Sequence, residues 1–140
     1  MRSTMERQQT TIATGSAGLM RWLSVATLVL VLAQAALAGQ WLAGDAALIV
    51  THGWIGNLSY LFALAMMVIG FLGWRRGWSV QLVAFPVLGA ALMTAQLGLG
   101  YIGRRQSWAA GLHLTGGVII TAVLVWIIAL AWMRTGQERS

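Results

Sequence analysis

The sequence predicts an all-α fold: a polytopic membrane protein whose four transmembrane helices pack as an up-down bundle. Three observations carry that prediction. Of 140 residues, 59% are hydrophobic and only 9% are charged, where an average soluble domain is about a quarter charged. The apolar residues fall in four runs, each long enough to cross a hydrocarbon core of ~30 Å at ~1.5 Å per helical residue. No Lys, Asp or Glu stands well inside any run.

Residues 1–20 are polar and rich in Ser, Thr and Gly, which reads as a flexible cytoplasmic tail too poor in apolar residues to fold alone. The transmembrane domain is expected over 21–134, with helices at about 22–42, 54–74, 79–101 and 108–133, and a short cytoplasmic tail at 135–140. The first run spans Trp22 to Leu42. Its Ala36-Leu37-Ala38 resembles a signal-peptidase site, but the run continues past it and the polar region before it is long, so the segment is expected to be retained. The second run, Trp54 to Trp74, closes on Arg75-Arg76-Gly77, a tight turn into the third run from Ser79 to Tyr101. Pro86 lies within that third run and frees a carbonyl one turn earlier, which predicts a kink. The fourth run goes from Trp108 to Met133. Trp22, Trp41, Trp54, Trp74, Trp78, Trp108 and Trp132 stand at run ends, where an amphipathic ring prefers the headgroup region, and Trp126 is left for packing.

The net charge is +6, and all nine basic residues are Arg set mostly beside the runs. Such placement signals topology rather than a nucleic-acid partner. Arg2, Arg7, Arg21, Arg75, Arg76, Arg134 and Arg139 share one side, against Arg104 and Arg105 on the other. Basic residues are retained in the cytoplasm, so both ends are expected inside, across a bacterial inner membrane. The absence of cysteine excludes disulfides and thiolate or iron–sulfur centres. The lack of an intramembrane carboxylate or ammonium argues against an ion-coupled transporter, including the small four-helix drug exporters, which carry an acidic residue in their first helix.

Two histidines, His52 and His113, then hold the chemistry. Each stands near the start of an even-numbered helix, 23 residues before Arg75 and 21 before Arg134 respectively, so their depths agree within ~3 Å near the outer face. Four residues after each comes a glycine, Gly56 and Gly117, on the same helix face. Gly53 and Gly116 thin the same region further. Two imidazoles from different helices, with side chains missing beside them, are what a bis-histidine haem needs in a bundle. The preceding helices repeat an Ala-Gln pair: Gln34 lies 18 residues before His52, and Gln96 lies 17 before His113. These amides could bond the second ring nitrogen or a haem edge. Arg104 and Arg105 are placed to pair with haem propionates. Asp45 stands seven residues before His52 with no evident role. Taken singly, each feature also has an ordinary reading: interfacial histidines, glycines for close helix packing, amides bonding across helices, and solvated loop arginines. It is the matching of depth and spacing that favours a haem.

The stretch Ala95-Gln96-Leu97-Gly98-Leu99-Gly100, with Gly111-Leu112-His113-Leu114 beyond a short loop, resembles the third and fourth helices of a haem A synthase repeat. His52-x-x-x-Gly56 is similar to the second-helix ligand of that unit. The likeness covers about residues 22–133, one four-helix half of an eight-helix family; small uncharacterised four-helix membrane proteins have the same look. It implies that His52 and His113 are axial ligands to one b-type haem near the outer face, for electron transfer or haem handling, and that a homodimer could restore eight helices. The family's acidic residue before the second-helix His is replaced here by Leu48 and Ile49, and its outer-loop cysteines are missing, which removes the resemblance's basis for catalysis. Two other expectations stay open: a haem-free accessory subunit of a larger respiratory or transport complex, and a dimeric synthase-like haem oxidase.

Overall fold

The computed structural model describes the backbone of residues 4–137 and the side chains of residues 15–134. It contains four helices, α1 Thr4–Leu42, α2 Leu48–Trp74, α3 Gln81–Gly103 and α4 Ser107–Gln137. Each packs against its sequence neighbour, and α4 closes the ring against α1, while the diagonal pairs do not meet through their backbones among the described residues. All four helices are long and apolar enough to cross a membrane, the first over Gly15–Leu42. The chain is thus a multi-pass, up-down four-helix membrane protein.

Two helix starts differ from the sequence expectation. The first helix does not wait for Trp22. It begins at Thr4, within what reads as a loose tail, and Ala17 and Met20 are buried in the bundle. An apolar span that has already nucleated a helix extends it at little further cost, and small residues such as Ala17 let it pack closely. The second helix starts at Leu48, six residues before Trp54. Gly44, with φ of +118°, turns the chain after α1, and Asp45 Oδ1 accepts the Ala47 N–H at 3.2 Å. That carboxylate satisfies a donor in the turn leading into α2 and gives Asp45 its role. Arg2, Arg7 and Arg139, part of the charge asymmetry, and the last three residues of the expected C-terminal tail lie outside the described residues or side chains.

One end of the bundle is tightly closed. Arg75-Arg76-Gly77 makes the short turn, with Gly77 at φ +86° and the Trp78 N–H donating to the Gly73 carbonyl at 3.0 Å. The chain folds back so that the Trp78 indole covers Gly73, where any Cβ would overlap the ring. Trp78 is only 4% exposed and plugs the bundle end, whereas the other six terminal tryptophans are exposed. Trp126 does touch Phe85, at 6.2 Å between ring centroids, but remains largely exposed.

Farther in, Pro86 sits inside α3 without ending it. Because proline lacks an N–H, the Leu82 carbonyl loses its helical donor. That carbonyl lies against Gly70 of α2, where a Cβ would collide with it. Met66, Leu82, Ile120, Leu124 and Ile127 fill the interior of this half. The buried hydroxyls of Ser24, Thr27 and Ser59 bond carbonyls of their own helices at 2.7–2.8 Å, so none is left unsatisfied.

Candidate functional site

At the opposite end the four helices enclose a cleft with about 990 Å³ of unfilled space, part of it open to the surroundings. Both histidines line it, as do Gln34, Gln96, Gly56 and Arg104. The early start of α2 places His52 in the second turn of its helix, as Ser107 does for His113 in α4. Although α2 and α4 stand diagonally opposite, the two imidazoles reach across the interior to 5.9 Å between centroids, inclined at 68°.

Each ring is held in the same way. His52 Nδ1 donates to the Gln34 carbonyl of α1 at 3.1 Å, and His113 Nδ1 donates to the Gln96 carbonyl of α3 at 3.0 Å. A carbonyl only accepts, so each Nδ1 carries a proton, and in the neutral form of either ring Nε2 is the nitrogen left with the lone pair. The sequence suggested that the glutamine amides hold the rings. The backbone carbonyls of those glutamines do so instead.

The amides have a different task. Gln34 Nε2 donates to the His52 carbonyl at 3.3 Å, completing a reciprocal pair between α1 and α2. It lies in the notch left by Gly56, 2.7 Å from where a Cβ would stand. In the second hairpin the matching notch is Gly116, whose Cβ would overlap the Gln96 amide. Gly117 faces open space, with nothing within 4 Å of its Cβ position, and does not line the cleft. Gly56 and Gly116 thus share one environment, and Gly117 another. Both notches receive glutamine amides, so they lock helix against helix rather than clear a face for a ligand. Gly100 gives room to His113 itself: a Cβ there would come within 3.1 Å of the ring.

Of the two arginines, Arg104 lines the cleft and Arg105 does not. The Arg104 guanidinium packs 5.2 Å from the Tyr101 ring centroid. Asn57, Tyr101, Met93 and Trp41, none of them a site residue expected from the sequence, also line the cleft. Asn57 has a usable signal: it is the only Asn in the chain, set near the start of the second apolar run, one turn after Gly53.

A T-shaped ring pair near 6 Å is also an ordinary aromatic contact. What distinguishes this pair is that both rings are pinned at Nδ1 and leave the same nitrogen free. With metal–imidazole bonds of about 2 Å, one metal between two Nε2 atoms needs centroids roughly 6 Å apart. No group of three or more His, Cys, Asp or Glu side chains able to hold a metal exists among the described residues. Two protein ligands alone suit a metal that arrives with its own equatorial donors. No family model matches the chain, and no curated protein or solved structure is similar to it. The likeness to haem A synthase thus rests on the quoted residues alone.

Proposed function

We propose that this four-helix membrane protein binds one haem b in the cleft, with His52 and His113 as axial ligands, at the outer face of a bacterial inner membrane with both termini cytoplasmic. The reading is carried by one observation: two imidazoles, each fixed through Nδ1 by a carbonyl of its own hairpin, lie with centroids 5.9 Å apart in the bundle interior. A carbonyl accepting from Nδ1 sets the tautomer of a ligating histidine and raises its basicity at Nε2. The cleft supports it with an apolar lining from Leu42, Ile49, Leu97 and Leu114, and with Arg104 as a partner for a propionate.

A haem held by His52 and His113 would supply one-electron transfer. The chain's own contribution is orientation and exclusion. Gln34 and Gln96 fix the ring planes through their carbonyls, and their amides, seated in the Gly56 and Gly116 notches, keep each hairpin at the spacing those bonds need.

The test is an absorption spectrum of detergent-purified protein from haem-supplemented cells, oxidised and then reduced. Sharp paired α and β bands, lost in the His52→Ala, His113→Ala double variant, are expected. A colourless protein that assembles normally with or without its histidines would instead mark a haem-free accessory subunit. Hydroxylated or formylated haem in cell extracts would mark a synthase-like enzyme.

A further inference from the structure

The edge of the cleft along the α2–α3 seam contains two donors that the axial ligation does not use. Among the residues whose side chains are described, Arg104 is the only Arg or Lys lining the cleft. Asp45 is the only carboxylate among those same residues, and it accepts the Ala47 N–H in the α1–α2 turn. The Arg104 guanidinium rests on Tyr101, one turn earlier on α3, and reaches across to α2, where its Nη2 is 3.9 Å from a Cβ position on Gly53. The bare backbone at Gly53 lets the guanidinium lie close to the helix. One turn farther along the same face of α2 stands Asn57, exposed and lining the cleft. No described protein group hydrogen-bonds its amide.

An amide within an apolar span is costly without a partner, and so is a guanidinium without a counter-charge. Here the guanidinium lies beside Gly53, and the amide stands one helical turn, roughly 6 Å along α2, beyond that glycine on the same cleft. Guanidinium presents a fork matched to a carboxylate, and the amide adds a further N–H. The α1 and α4 lining, Gln34, Ala38, Trp41, Leu42, Ala110, His113 and Leu114, offers no cation at all. We infer that Arg104 and Asn57 together form a carboxylate clamp at the α2–α3 seam, which admits an acid-bearing macrocycle and seats it in one orientation. This rests on the haem reading above and adds to it the ligand's required edge, its direction in the cleft, and Asn57 as a specificity residue.

The test titrates the purified haem-free protein, in a non-ionic detergent without phospholipid, with ferric protoporphyrin IX and separately with its dimethyl ester. The ester offers the same iron to the histidines but no carboxylate. Wild type is expected to bind the free acid at least about tenfold more tightly, a difference of about 1.4 kcal/mol. Asn57→Leu should lose most of that preference and Arg104→Gln all of it, while every variant keeps the bis-imidazole spectrum at saturation. Asn57→Gln should restore part of the preference. Equal affinity of wild type for acid and ester, or an Asn57→Leu variant that discriminates as wild type does, would overturn the clamp while leaving the axial pair intact. If neither porphyrin gives a bis-imidazole spectrum, the haem reading fails, and the clamp with it.

Discussion

The two halves of this bundle are built from the same helices by opposite rules. In the closed half, backbone meets backbone or ring: Trp78 covers Gly73, the freed Leu82 carbonyl lies on Gly70, and Met66, Leu124 and Ile127 fill what remains. In the cleft half each hairpin is joined by hydrogen bonds between its Gln and its His, and the interior stays unfilled. Glycine serves both halves in different ways. Gly70 and Gly73 let two elements touch, whereas Gly56 and Gly116 seat an amide that positions an imidazole. Lipid provides no hydrophobic drive between helices, so packing and hydrogen bonds carry the association. The closed half therefore supplies the stability on which an open site can be kept.

The contrast can be broken most severely at the histidines. Replacing either His52 or His113 with Ala is expected to leave five-coordinate, high-spin iron or none, with little change in the melting temperature of the haem-free protein. An effect of the next size is expected from Trp78→Ala, which empties the closed end. It should cost on the order of 3 kcal/mol, read as a lower melting temperature in detergent, with the spectrum of bound haem unchanged. Gly70→Ala, which drives a methyl into the Leu82 carbonyl, should cost roughly 1–3 kcal/mol and be equally silent at the site.

A sharper comparison lies within α4. Gly116→Ala should displace the Gln96 amide, at a cost of about 1–3 kcal/mol, and should shift the redox potential or the low-spin signature of bound haem. Shortening the displaced side chain with Gln96→Ala should recover much of the loss. Gly117→Ala, one residue on, faces open space and should be neutral or stabilising by up to about 1 kcal/mol. If the neighbouring alanines behaved alike, the glycine-notch account would be wrong. The smallest destabilisation is expected at Asp45→Ala, roughly 0.5–1 kcal/mol from the loss of its hydrogen bond to the Ala47 N–H in the turn into α2.

Much of the architecture was legible because lipid imposes a length and composition rule on each span. The ends at Leu42 and Trp74 were placed to the residue by the loss of apolar character. The starts of α1 and α2 were not, since helix propagates through polar residues whose composition carries no stop signal. Trp78 was read as an interfacial ring because sequence position cannot say whether a tight turn will fold an indole inward. At the site, the convergence of His52 and His113 followed from equal depth on helices running the same way. What spacing could not separate was Gly116 from Gly117, or Arg104 from Arg105: adjacent residues on a helix differ by ~100° in facing, and no periodicity in so uniformly apolar a chain fixes the rotation. The role of the glutamine carbonyls was invisible for another reason. Every residue has a carbonyl, so only geometry reveals which one a ring will use.

The most direct measurement is low-temperature electron paramagnetic resonance of the purified ferric protein loaded with one equivalent of haem b. A single low-spin species with nitrogen ligands on both axial sides is the result expected if His52 and His113 hold one iron between them. A high-spin signal at full loading, or a low-spin signal that persists after both histidines are replaced, would contradict it.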